Sequence, residues 1–181
     1  VVYDGDNNFN PNTSLVLTQT VDKAETTATL TSSTNPSVFG QSVIFTAAVS
    51  AVSPGSGTPT GTVVFSDGAT ALATNSLSAG QAKYTNSVLT AGVHTITVAY
   101  TGSGNFNGSD NTASPFAQTV NPANTTTTVT SSTNPSVFGQ SVTFTGVVSV
   151  VSPGAGTRTG TLTFNVDGVA QTPVSINAFG V

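Results

Sequence analysis

SSTNPSVFGQSVIFTAAV spans Ser32–Val49, and its first twelve residues return letter for letter as Ser131–Val142, 99 positions further on. A second echo links VVYDGDNNFN, Val1–Asn10, to VAYTGSGNFN, Val98–Asn107. Self-similarity at a period about one small domain long marks a tandem array. Aligned on itself, the chain divides into three parts. Residues 1–21 read as the closing strands of one repeat, 22–120 as a complete repeat, and 121–181 as the opening strands of another. The junctions, Val21-Asp-Lys-Ala24 and Val120-Asn-Pro-Ala123, contain no Gly, so successive units are expected to be closely coupled.

Downstream of the repeated motif the pattern has period two. Val43, Phe45, Ala47 and Val49 alternate with Ser42, Ile44, Thr46 and Ala48, the spacing of a strand with one face buried. The internal copy assigns the faces. Ile44 becomes Thr143 while Phe45 returns as Phe144, and Val64 becomes Thr163 while Phe65 returns as Phe164. Positions that keep Phe are predicted to be core, and positions that exchange an aliphatic for Thr are predicted to face water. Further strands are predicted near 26–31, 70–74, 81–86, 94–100 and 112–120. Turn chemistry separates them at Asn35-Pro36, Ser53-Pro54-Gly55, Asp67-Gly68, Ala79-Gly80 and Ala91-Gly92. About seven short strands in about 100 residues describe a two-sheet sandwich, with a closed barrel as the alternative.

Composition narrows the function classes. Only 6% of the residues are charged, and Thr, Ser and Asn supply the polarity that charges usually provide. Apolar runs are a few residues long, against the roughly 20 that span a bilayer. Lys23, Lys83 and Arg158 are the only Lys and Arg, and the net charge is −4; nucleic acid, which needs clustered basic residues, is excluded as a partner. Without Cys there is no disulfide or thiol chemistry. The chain lacks a starting Met and a signal segment, and is expected to be a mature piece or a window on something longer.

Three motifs carry a resemblance to a known family: TSSTNPSVFGQSVIF, SPGSGTPTGTVVFSDG and LTAGVHTITVAYTGSGNF. Occurring in order, they resemble the bacterial immunoglobulin-like repeats found in tandem in large secreted and surface proteins. The resemblance implies an all-β chain of tandem immunoglobulin-like β-sandwiches, one complete and two partial. It also implies an extracellular or cell-surface location and a role in spacing, adhesion or assembly.

The candidate site residues divide into structural and chemical ones. Phe45, Phe65, Phe106 and Tyr100 are assigned to the sandwich interior. Phe106, or its counterpart Phe9, is expected to plug a sandwich end. His94, the single histidine, falls where sandwiches of this kind place a Tyr that hydrogen-bonds back to main chain; it is expected to anchor that corner through a ring nitrogen. Asp4, Asp6 and Asn8 form D-x-D-x-N and are the candidate calcium ligands. The following Gly and the later bidentate Glu of a calcium loop are missing, and the second copy carries Thr101, Ser103 and Asn105 instead. No cofactor is therefore assigned. Lys83, flanked by Ala82 and Tyr84, is expected on the solvent face, where it cannot form a buried isopeptide crosslink.

An enzyme reading fails on inventory. The complete unit has Asp22, Glu25, Asp67 and Asp110 as its acids, scattered in sequence, with Asp67 assigned to an Asp-Gly turn. A nucleophile needs an oriented base within reach. The leading expectation is a non-catalytic stalk or spacer whose partners are neighbouring repeats in the same or adjacent chains. The competing readings are a homopolymeric filament subunit completed by strands from neighbouring chains, and an adhesin domain binding glycan or protein through end loops such as Ser53–Pro59.

Overall fold

Residues 1–177 and 179–181 are described by the computed structural model. β1 (Val2–Tyr3) and β2 (Asn12–Thr13) pair only with each other. The central part of the chain carries β3 (Thr26–Ser32), β4 (Ser37–Val38), β5 (Val43–Ala51), β6 (Thr62–Asp67), β7 (Thr70–Ser76), β8 (Gln81–Asn86), β9 (Gly92–Tyr100), β10 (Ser109–Asp110) and β11 (Phe116–Asn121). They form two sheets. One has the order β3-β5-β8; the other has the order β4-β11-β9-β6-β7, with β10 also on β9. Every pairing is antiparallel except β4 with β11, where Ser37 and Val38 run parallel to Val120 and Asn121.

The two sheets close on one core. Val43, Phe45, Ala47 and Val49 point inward from β5, Val63 and Phe65 from β6, and Ile96, Val98 and Tyr100 from β9. Phe45 and Phe65 are both 0% exposed, whereas Ile44, between two buried neighbours, is 41% exposed. The alternation that decides the fold therefore has the facing expected from the repeat. The Phe65 ring meets Tyr84 of the opposite sheet, 5.7 Å between centroids at 39°, a tilted contact of the kind aromatic pairs favour. The chain is an all-β sandwich.

One expected strand begins late. The sequence predicts a strand over 112–120, yet residues 112–115 form a turn and only β11, from Phe116, is strand there, with β10 lying before the predicted span. Asn111 turns its side chain inward so that Oδ1 accepts from Val98 N at 2.7 Å, replacing a ladder bond. Thr112 folds back onto Asp110 through its hydroxyl and its amide, which hold that carboxyl below its ordinary range. Pro115 then has no amide to give a neighbour.

Downstream, β12 (Thr125–Ser131) pairs β13 (Phe144–Val150), and β14 (Thr161–Leu162), β15 (Asn165–Val166), β16 (Val169–Ala170) and β17 (Val174–Ser175) form two short ladders. Thr125 faces Val150 as Thr26 faces Ala51, and Thr161 faces Ser175 as Thr62 faces Ser76. These registers repeat at the spacing of the sequence repeat. Their side chains are less covered: Phe144 is 53% exposed where Phe45 is fully buried, because β13 pairs with β12 alone.

Truncating Phe45 to Ala removes a fully buried ring and is expected to cost about 3–5 kcal/mol, whereas Ile44→Thr is expected to cost less than about 1 kcal/mol. Denaturant unfolding of the two variants checks this; equal losses would show that the two positions are not on opposite faces.

Candidate functional site

Polar chemistry concentrates at the two ends of the central sandwich. At one end, β6 stops at Asp67, and Gly68 turns the chain with φ of 54°. Asp67 faces Ile96 across the ladder, so His94, two residues away on the same face of β9, lies diagonally within reach. Its Nδ1 is 2.6 Å from Asp67 Oδ2, and its Nε2 is 2.9 Å from Thr90 O. Both partners are acceptors, so the arrangement is fully satisfied only by the doubly protonated ring. Burial of the ring disfavours the charge, but the Thr90 carbonyl and the Asp67 carboxylate outweigh it and raise the pKa above the ordinary 6.5. With one nitrogen on a carboxylate and the other on main chain, neither is free to take a proton from a nucleophile. The geometry is that of a corner clamp. The turn assignment alone left out the partnership of Asp67 with His94; the β6–β9 register carries it.

Next to this corner lies a second polar centre that sequence reasoning missed. Gln118 on β11 is 0% exposed. Its Oε1 accepts from Ser32 Oγ at 2.7 Å, and its Nε2 donates to Thr34 O at 3.0 Å and Ser37 Oγ at 3.2 Å. It stitches β3, β4 and β11 together across the two sheets. Asn35 does the same from outside, giving its amide to Ala117 O and accepting from Thr119 N. The signal was available: Gln19-Thr-Val21 repeats as Gln118-Thr-Val120.

At the opposite end Phe106 is 8% exposed and bridges Ala24. Ala24 N donates to Asn105 O, and Asn107 N donates to Ala24 O, each at 2.9 Å. Lys23 Nζ reaches Ser103 O at 3.0 Å, and Asn107 Nδ2 reaches Glu25 Oε1 at 2.7 Å. Tyr100 is buried with its hydroxyl on Thr60 O at 2.6 Å. The incoming chain is thus fastened to the loop that carries Phe106. Phe9 fills no such place: it is 65% exposed, and Leu15, Val16, Leu17 and Val21 beyond it are exposed as well.

The candidate calcium ligands form a turn. Asp6 Oδ1 accepts from Asn8 N at 2.8 Å and Phe9 N at 3.0 Å, so that carboxylate oxygen caps backbone amides. Among the described residues no group of three or more His, Cys, Asp or Glu side chains could hold a metal ion. Lys83 is exposed on β8; its backbone carbonyl, not its amine, accepts from Asn75 Nδ2. Among the described residues no helix is long and apolar enough to cross a membrane.

A family model described as bacterial Ig-like domain (group 3) matches residues 30–121, just over half of the chain. No curated protein and no solved structure matches the chain.

Because folding raises the His94 pKa, its clamp contributes fully below the unfolded imidazole value near 6.5 and is lost as pH rises through the higher folded value. The melting temperature of the central sandwich is expected to fall across this window, and His94→Gln to flatten the fall. An unchanged pH profile in that variant would remove the clamp.

Proposed function

The chain belongs to the bacterial Ig-like domain (group 3) family, and from that premise we propose that it is a non-catalytic structural module of an extracellular repeat protein. In this reading it serves as a stalk of sandwiches in series that keeps a terminal region away from a cell surface and transmits tension.

The observation that carries this reading is the path of the chain through the sandwich. The chain arrives at Ala24 beside Phe106 and leaves at Asn121 beside Phe39. These are opposite ends, because β3 and β11 both run from the first end towards the second, β11 reaching it parallel to β4. The nine-residue strands β5 and β9 span about 30 Å, so each unit in series adds length rather than bulk. Tension between the two ends pulls β4 and β11 along their own axes in opposite directions. Their bonds are then loaded together in shear, instead of opening one at a time from a frayed end. Sparse charge supports an extracellular setting. With three Lys or Arg in the chain, proteases that cleave after basic residues find few sites.

Single-molecule stretching of the chain through its ends tests the proposal. The central unit is expected to yield in one force peak that releases about 30 nm of chain. Smooth extension without a peak would contradict a load-bearing role.

A further inference from the structure

Asn107-Gly108 is the one Asn-Gly pair in the sequence. Every other Asn is followed by a residue with a side chain, or by Pro, which has no amide hydrogen. The pair matters because a main-chain amide nitrogen can attack the side-chain carbonyl of the Asn just before it. Gly at the attacking position puts no Cβ in the way. Here the fold itself demands that Gly, since a Cβ at position 108 would sit 2.7 Å from Tyr100 O. Gly108 is exposed, and its amide donates to no group among the described residues. The nucleophile is thus open to water and to base.

Asn107 is half-buried, at the point where the incoming chain is fastened. Its Nδ2 donates to Glu25 Oε1 at 2.7 Å, its amide donates to Ala24 O at 2.9 Å, and its carbonyl accepts from Thr26 Oγ1 at 2.8 Å. Three consecutive residues of the incoming chain therefore grip one Asn at three atoms. Ring closure onto Gly108 N rotates residue 107 about ψ and χ1, and these bonds oppose the rotation. The reaction then draws on the fraction of molecules in which this end has opened locally.

We propose that Asn107 is a self-modifying site that turns a passing opening of the leading end into a permanent one. Gly108 N attacks Asn107 Cγ and gives up its proton to water. The Cγ–Nδ2 bond breaks, ammonia leaves, and a five-membered succinimide remains. Water then adds to either ring carbonyl and yields aspartate or isoaspartate; in sum, Asn and water give acid and ammonia, with no oxidant or cofactor. Both products undo the grip. The donor to Glu25 is gone, and an ionised carboxylate only accepts, so two like charges now face each other across the bridge. Isoaspartate also routes the main chain through the former side chain, adding a methylene and turning the carbonyl that Thr26 holds into a free carboxylate. The matching position of the other copy is Asn10-Pro11, where no amide hydrogen exists. The chemistry is therefore confined to the central unit.

The test ages the intact chain in mildly alkaline buffer, folded and in denaturant. Residue 107 is followed by the mass gain of acid over amide and by fragment spectra that separate aspartate from isoaspartate. The folded chain is expected to convert at Asn107 alone, on the order of tenfold more slowly than the denatured chain. Glu25 is exposed, so its substitution spares the core. Glu25→Ala is expected to speed conversion of the folded chain several-fold and to leave the denatured rate unchanged. Asn107→Gln, whose longer side chain closes a ring far more slowly, is expected to stay unconverted. In aged chain and in Asn107→Asp, the amides of Ala24 and residue 107 are expected to exchange faster, with that of Phe45 unchanged. Adding Glu25→Gln, which supplies a donor to the new carboxylate, is expected to restore slow exchange in Asn107→Asp. Folded chain that converts only through global unfolding, a Glu25→Ala rate equal to the parent's, or Ala24 exchange unaltered by conversion overturns the proposal.

Discussion

Burial of alternate side chains from two facing sheets is the constraint on which the rest depends. β5 contributes Val43, Phe45, Ala47 and Val49 to the interior, and β6 and β9 answer with Val63, Phe65, Ile96 and Val98. Slipping any of these strands by one residue would exchange Phe45 for Ile44 or Phe65 for Val64, and turn the neighbouring Thr and Ser inward. With no Cys to staple the sheets and few charges to pair on the surface, this burial has no substitute as a source of cohesion. It also explains why the two Phe positions persist between copies while the residues beside them drift.

Polar groups inside the sandwich sharpen that arrangement without opposing it. Among the described residues, no buried side-chain nitrogen or oxygen lacks a hydrogen-bond partner. Gln118 illustrates why this matters. A fully buried amide is costly unless every group finds a mate, and here its mates come from the segment that passes from one sheet to the other. The network therefore fixes where β3 ends and β4 begins. In doing so it holds β4 against β11, the parallel pair that would bear tension.

Strands were legible in this sequence wherever one face is apolar. β5, β6, β8 and β9 lie close to where alternation and turn residues put them, since period two and Asx-Gly or Ala-Gly turns are local signals. Legibility failed where the deciding partner is distant. Nothing near Asp67 announces His94, 27 residues later, because the pair exists only through the register of β6 with β9. The turn over 112–115, at the start of the strand expected over 112–120, was missed for a related reason. Asn111 and Thr112 satisfy backbone groups with side chains, and a run of Asn, Thr, Ala and Ser has the composition of strand and of loop alike. For the aromatic plugs, likeness of sequence was not likeness of environment: Phe106 is covered by Ala24 and the loop at Gly57, while Phe9 has no such cover among the described residues.

The two ends of the sandwich differ in a way that follows from the same geometry. At the leading end, Ala24 is bonded on both sides to the Phe106 loop and packed on Gly55, so the incoming chain cannot pivot without breaking backbone bonds. At the trailing end, Asn121 is held by Phe39 and followed by Pro122, whose ring fixes φ and removes a donor that would otherwise need a partner. A junction so short and so fully bonded leaves few torsions free. Little further contact is then required to select one orientation between neighbours, since the entropy that a flexible linker would spend on docking is already removed by the covalent path. A large apolar interface would also hold neighbours rigidly, but it would expose a sticky face at every unoccupied end and invite uncontrolled association.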